Sequence, residues 1–376
     1  MVAAVVLVDT MFYAAISPLL PYYVHHFHLA KSQAGVLAAS YAAGTLVGSI
    51  PAGWLAARIG VRSTIVCGLG LMILASLAFA FAPSTGPLDI ARFVQGLGGA
   101  ASWAAGLAWL IERAPEDRRA EMIGASLAAA IVGAVLGPVL GTVAAETTPG
   151  IAFSAVAGLG LGLLLWTLTE PAPAPGGITN LRGLAPALHD PGVLTGMWLT
   201  TLAAMLYSTL AVLAPLRLSR LGASTATVGL AFVAGAALAA ASTPLVGRLS
   251  DRRGWRRPIL TGLCLSAGWA LLLTLPRTIL LLFGLVVVAD SLFGVPYSPA
   301  GAMISERAER VGLGQAYGFG LFNLAWAGGQ VIGGAGSAAL AQATADAVPY
   351  SLLAGVCLLT VAAIARRPRG RVTVAG

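Results

Sequence analysis

Charge is what this chain lacks. Only 10% of its 376 residues are Asp, Glu, Lys or Arg, where a soluble domain carries about 25%. Apolar side chains make up 58%, and mean hydropathy is +0.87. A water-facing globule has no interior large enough for so much apolar surface, so lipid must be the solvent. Cysteine is scarce too. Cys67, Cys264 and Cys357 fall in apolar runs, with neither metal-ligand spacing nor an extracellular pairing pattern. They read as small buried hydrophobes. The sequence shows no hydrolase triad and no metal cage. The glycine-rich stretch Gly96, Gly98 and Gly99 follows no strand, so a dinucleotide loop is excluded. An enzyme is therefore not expected, and neither is a cofactor or a metal.

What is present is length. Twelve apolar stretches run along the chain, at 2–25, 33–57, 63–82, 88–112, 119–145 and 149–169, then at 192–216, 223–249, 257–275, 278–304, 313–341 and 346–365. Each approaches the roughly 20 residues that cross a hydrocarbon layer as a helix. None alternates with the period of two that a strand requires. The first run is too long for a leader and lacks a basic start and a cleavage site, so it reads as a span. The expected fold class is an all-α membrane protein of twelve spans in two six-helix halves. The first half covers 1–170 and the second 192–376. Between them, 171–191 is rich in Pro and Gly and reads as a linker.

The net charge of +8 does not indicate nucleic acid, because the basic residues sit in short loops. One set of alternate loops carries Arg58, Arg62, Arg113, Arg118, Arg119, Arg182, Arg248, Arg252, Arg253, Arg256, Arg257, Arg307 and Arg310. The tail adds Arg366, Arg367, Arg369 and Arg371. The opposite loops carry only Lys31, Arg217, Arg220 and Arg277. The asymmetry predicts that both termini are cytoplasmic.

A charged signature occurs twice. Gly53, Leu55, Arg58, Gly60 and Arg62 recur as Gly247, Leu249, Arg252, Gly254 and Arg256, an offset of 247 − 53 = 194. The same offset carries Glu112, Arg113 and Ala114 onto Glu306, Arg307 and Ala308. A duplicated half in a membrane protein points to a transporter.

These residues resemble the major facilitator superfamily. Gly247 to Arg257 matches that family's first loop motif, with Asp251 as its acid. The copy at Gly53 to Arg62 has Ala57 at the acidic position, which shifts the acid's role toward Asp251. The resemblance implies that Gly53, Arg58, Gly60, Arg62, Gly247, Asp251, Arg252, Gly254 and Arg256 govern the conformational change. Arg92, Gln95, Gly96 and Gly98 resemble the motif of the fourth helix. Gly133, Gly137, Pro138 and Gly141 resemble that of the fifth, the marker of the antiporter branch. Val8, Asp9, Thr10 and Met11, followed by Pro18 and Pro21, look like the first helix of drug:proton antiporters related to vesicular amine transporters. Ala289, Asp290 and Ser291, followed by Pro296 and Pro299, look like their tenth. Asn323 stands where the amine transporters place an acid, and neither the lysine of their second helix nor the acid of their seventh is present.

Asp9, Asp290 and Arg92 carry charge inside spans. A charged Asp at a helix centre costs about 2.5–3.5 kcal/mol on insertion scales. Such a group usually faces a cavity, a partner or a proton. Asp9 and Asp290 are candidates to take up a proton on one side and give it up on the other, or to bind substrate. The ordinary alternatives are an interfacial acid near a helix start for Asp9 and a packing hydrogen bond for Asp290. Arg92 keeps its charge and can expel a proton from a nearby carboxyl. Otherwise it snorkels to headgroups or pairs with Asp89. Asn323, Tyr207, Tyr297, Trp326, Gln330 and Gln95 are candidate substrate contacts, with interhelical packing as the alternative. Gly133, Gly137, Pro138 and Gly141 share one helix face, as a seal, a hinge or simple close packing. His25, His26 and His28 read as a solvated loop. The expected function is proton-coupled export of a small, largely apolar or cationic molecule by a monomer in the plasma membrane. Its partners are substrate, protons and lipid. Efflux or uptake of a sugar or other metabolite is the nearest rival, and a non-transporting membrane sensor is a third reading.

Overall fold

The computed structural model describes residues 1–113, 118–171, 184–313 and 315–366, and these are almost wholly helical. In the first half α1 (Val2–Ala14) and α2 (Ile16–Phe27) form one broken span. They are followed by α3 (Lys31–Ile59), α4 (Val61–Ala80), α5 (Thr85–Arg113), α6 (Arg119–Glu146) and α7 (Pro149–Thr169). A short helix, α8 (Leu184–His189), precedes the second half. That half holds α9 (Pro191–Arg220), α10 (Thr225–Arg253), α11 (Arg256–Leu272), α12 (Ile279–Phe293), α13 (Tyr297–Arg310), α14 (Gln315–Val331), α15 (Ser337–Ala343) and α16 (Ala347–Arg366). Nine helical segments are long and apolar enough to cross a membrane, counting α1 with α2 and α12 with α13. Three more segments complete the twelve among the described residues: α5, α11, and α14 with α15.

Three expected spans are interrupted, each for a local reason. The first breaks at Ala15. Pro18 and Pro21 have no N–H to offer the carbonyls of Ala14 and Ser17, four residues earlier. The tenth breaks between Phe293 and Tyr297, where Pro296 and Pro299 remove two further donors. Tighter bonds from Val295 N to Leu292 O (3.2 Å) and from Tyr297 N to Gly294 O (3.0 Å) bridge the gap. The eleventh passes through a π-helical turn at Ile332–Gly336. Part of the expected linker is also helical. In α8, Ala187 is buried against Val193, Ile304 and Ala308. Residues 172–183 lie outside the described ones.

Helix ends follow their caps. Asp190 accepts from Gly192 N at 2.7 Å and Val193 N at 2.9 Å, and Pro191 opens α9 where no donor is needed. Arg62 at the start of α4 donates to Leu168 O at the end of α7. Arg256, its counterpart 194 positions on, donates to Ile364 O at 3.0 Å and Ala365 O at 2.7 Å at the end of α16. Each repeated arginine thus satisfies orphan carbonyls of the last helix of its half.

The two halves meet toward the other end of the bundle. Lys31 at the start of α3 pairs with Asp346, just before α16, and Arg220 at the end of α9 shares that acid. Ser32 N donates to Gln342 Oε1 at 2.8 Å beside them. Small residues bring the backbones together nearby. A Cβ at Gly35 would lie 2.3 Å from Ala338 Cβ, and one at Gly229 would lie 1.9 Å from Thr142 Oγ1. Such close approach is how membrane helices associate without a hydrophobic drive.

Candidate functional site

The site grows from the break in the first span. Asp9 lies on α1 two turns before Ala15 and is 2% exposed. Two donors converge on its carboxylate: Tyr41 Oη of α3 reaches Oδ1 at 2.7 Å, and Trp103 Nε1 of α5 reaches Oδ2 at 2.7 Å. Gly99, one turn before Trp103, makes the room. A Cβ there would stand 2.4 Å from Tyr41 Oη and 2.7 Å from Asp9 Oδ1.

Arg92 is 1% exposed in the same layer. Its guanidinium donates to Phe12 O at 3.1 Å, Tyr13 O at 3.3 Å and Gln95 Oε1 at 3.3 Å. It also lies 5.2 Å from the Tyr41 ring centroid, within cation–π range. Neither headgroup snorkelling nor pairing with Asp89 describes it. Arg92 grips backbone carbonyls just ahead of the break. Gln95 is buried beside it, and its amide nitrogen has no partner among the described residues.

The second half places Asp290 opposite. It is 5% exposed on α12, and its Oδ1 has no hydrogen-bond partner among the described residues. A Cβ at Gly235 of α10 would lie 2.7 Å from Asp290 Cβ. The Tyr297 hydroxyl and the Gln330 amide nitrogen are likewise buried without a partner. Tyr207 and Gln330 line a narrow pocket with Tyr13 and Ser17 of the first half. Asn323 is half-buried on α14. Buried polar groups left open in this way are costly unless a ligand, water or proton serves them.

Aromatic rings join the two walls. Tyr13 packs on Tyr41 at 5.3 Å and meets the edge of Trp326 at 5.2 Å. Trp103 stacks on Phe319 at 5.9 Å, Phe319 touches Phe322 at 5.9 Å, and Phe322 reaches Tyr297 at 6.2 Å. Tyr13, Tyr41, Trp103 and Phe319 escaped the reading from sequence. Their one signal was an aromatic residue with a polar tip, or a ring, inside a span rather than at its interface.

The other motif residues fall in two places. Gly133, Gly137 and Gly141 of α6 pack on the first span across its break: Cβ atoms there would lie 2.4 Å from Leu7 O, 2.5 Å from Ala14 Cβ and 2.0 Å from Ala15 O. Pro138 O accepts from Thr142 at 2.8 Å, beside Gly229 of the second half. The duplicated loop motif stands away from that contact. Gly53, Gly60 and Gly254 have open space where a Cβ would project, and Gly60 and Gly254 take φ of 87° and 76°, which glycine adopts without strain. Gly247 faces Ser298 of its own half. Arg58 lies 5.0 Å from the Trp54 ring, and Arg252 is exposed. The side chain of Asp251 lies outside the described residues.

The family model for the Major Facilitator Superfamily matches residues 2–333 and 197–375. The chain belongs to that superfamily. Membership sets it among transporters rather than enzymes. A probable vesicular acetylcholine transporter-B of Danio rerio is 31% identical over 183 residues, 45% of this chain and 37% of the relative. The methylenomycin A resistance protein of Streptomyces coelicolor is 45% identical over 74 residues, 19% of this chain and 16% of the relative. The match spans only 23% and 26% of the length of the MFS-type transporters ppzB of Metarhizium majus and Metarhizium rileyi. Among solved structures, a D-xylose-proton symporter superposes with a TM-score of 0.76 at 17% identity, covering 97% of this chain and 96% of the other. That likeness concerns the fold alone.

Proposed function

We propose that this major facilitator is a proton-coupled exporter of small, largely apolar or cationic molecules. It works by alternating access between its two halves, residues 1–170 and 192–376, as a monomer in the plasma membrane. With the arginine-rich loops and both termini cytoplasmic, the Lys31–Asp346–Arg220 contact closes the outer face. The observation that carries the reading is a buried acid in each half, Asp9 with a donor on each oxygen and Asp290 with an open oxygen. Asp290 lies in the half that supplies Tyr207, Tyr297, Phe322 and Trp326. A carboxylate together with aromatic faces suits an organic cation. The Gly133–Gly141 face, which packs α6 onto the broken first span, supports antiport through its resemblance to the antiporter motif. The acetylcholine-transporter and drug-resistance relatives agree with that direction.

The uncharged polar groups of Gln330 and Asn323 favour a second reading, a neutral polyhydroxylated solute moved by the same fold. One experiment separates them. The full chain is reconstituted in liposomes with an internal pH dye and challenged with cationic, neutral and anionic compounds, sugars included. Export coupled to protons predicts compound-triggered proton movement with cations, lost in Asp290→Asn and in Asp9→Asn. Proton movement triggered by sugars alone selects the second reading. Proton-dependent flux that persists with both acids neutralised removes the acids from the mechanism.

A further inference from the structure

Trp103 touches both the proton-site candidate and the opposite half. Its indole nitrogen donates to Asp9 Oδ2 at 2.7 Å, and its ring lies nearly parallel to Phe319 of α14, 14° between planes at 5.9 Å. The other cross-half ring contact described, Tyr13 with Trp326, also ends on α14. We propose that Trp103 is the positioning residue through which the charge of Asp9 sets the contact between the two halves. The inference rests on Asp9 being a proton site, as proposed above.

The argument is one of donors and acceptors. An ionised carboxylate accepts on both oxygens, and here each oxygen has one donor. The two donors differ in kind. A tyrosine hydroxyl can turn and accept, whereas an indole nitrogen can only donate. A proton on Oδ2 therefore leaves the Trp103 N–H only the poorer acceptor of a neutral hydroxyl oxygen. A proton on Oδ1 leaves that bond in place but takes away its charge assistance, which is about half its strength. Tyr41 absorbs the change by rotating its hydroxyl, and Trp103 has no such recourse. Its hold on α1 weakens, and with it the ring surface offered to Phe319.

The surroundings leave Asp9 as the group that switches. Arg92 of α5 lies 5.2 Å from the Tyr41 ring centroid and keeps its own bonds to the carbonyls of Phe12 and Tyr13. Tyr41 of α3 and Tyr13 of α1 are the nearby phenols. The neighbouring contacts of α6 and α7 with α1 run through Gly133 and Phe153, which do not titrate.

The test measures the distance between spin labels, one on each half at the Lys31 end, as pH is varied across the full chain in lipid. The readout is the part of the pH response that Asp9→Asn removes. Trp103→Phe keeps a ring for the stack and deletes the N–H. It is expected to shrink that part about tenfold, the scale of one hydrogen bond to a charged group. Phe319→Leu keeps the Asp9 bond and deletes the stack. It is expected to do the same, and it serves as the second probe if Trp103→Phe folds poorly. An Asp9-dependent response intact in both variants overturns the inference alone. A response unchanged by Asp9→Asn overturns the proton-site reading, and the inference with it.

Discussion

The two halves hold their buried acids in opposite ways. Asp9 has a donor on each oxygen, space cut for it by Gly99, and Arg92 one ring away. Asp290 has an oxygen without a partner among the described residues, and its half also leaves the Tyr297 hydroxyl and the Gln330 amide nitrogen open. Both halves leave some buried polar groups open, Gln95 and Arg92 Nε in the first among them, but the first half satisfies its acid from within while the second leaves a carboxylate oxygen to be served. A two-fold repeat in sequence has not produced a two-fold repeat in chemistry. The structural role of Arg62 and Arg256 was kept in both copies, and the polar interior diverged.

Removing each carboxyl gives the sharpest test of that contrast. Asp9→Ala strands the Tyr41 hydroxyl and the Trp103 N–H, at about 1–3 kcal/mol for each unmet donor. Asp290→Ala strands nothing comparable. Thermal unfolding in one detergent should place Asp9→Ala well below the unmodified chain and Asp290→Ala close to it or above. Equal losses would break the comparison.

A smaller effect is expected from crowding. Gly99→Ala drives a methyl against Asp9 and Tyr41 and should cost about 1–3 kcal/mol, the range for overpacking, with proton-coupled flux lost as well. Flux and stability both unchanged would show that the carboxylate is less confined than its contacts indicate.

The two ends of the bundle make the same kind of pair. Gly229→Ala should force α10 away from Thr142 and raise labelling of cysteines placed at the Lys31 end. Gly53→Ala has open space and should gain up to about 1 kcal/mol from helix propensity alone. Accessibility that moves equally in both variants would remove the distinction between the ends.

The smallest effect belongs to the ion cluster. Burial pushes the Asp346 carboxyl up, but hydrogen bonds and charge from Lys31 and Arg220 outweigh it and hold the group below its usual range. Its contribution is therefore present above the ordinary carboxylate pKa of about 3.9 and is lost as pH falls through its lower value in the folded chain. Asp346→Asn should loosen the Lys31 end by about 1 kcal/mol or less, since the pair is partly solvated. Accessibility of that end should rise in the variant at neutral pH and approach that of the unmodified chain in strong acid.

Much of the fold was legible because its signals are local. Apolar length marked the spans, and α7 begins and ends where the sequence placed it. Pro18, Pro21, Pro296 and Pro299 mark both broken spans, since a missing donor acts on its own helix. Asp9, Asp290 and Arg92 were visible as charges in apolar runs. Their partners were not. Tyr41 is 32 positions from Asp9 and Trp103 is 94, and no helical period relates them. Arg92 shows the same limit: the sequence required a partner for it but could not distinguish an acid from the carbonyls of Phe12 and Tyr13.

By itself, the sequence determined that this chain lives in lipid, in twelve spans and two related halves, with acids buried in the first and tenth. These follow from transfer energies that each residue contributes wherever its neighbours lie. Only the tertiary structure decided which acid is satisfied and which is open, and at which end the halves touch. Those outcomes depend on which helices approach closely enough for a donor to reach across. Here the approach is set by glycines such as Gly35, Gly99 and Gly229, whose absent side chains have meaning only against the helix that fills the space.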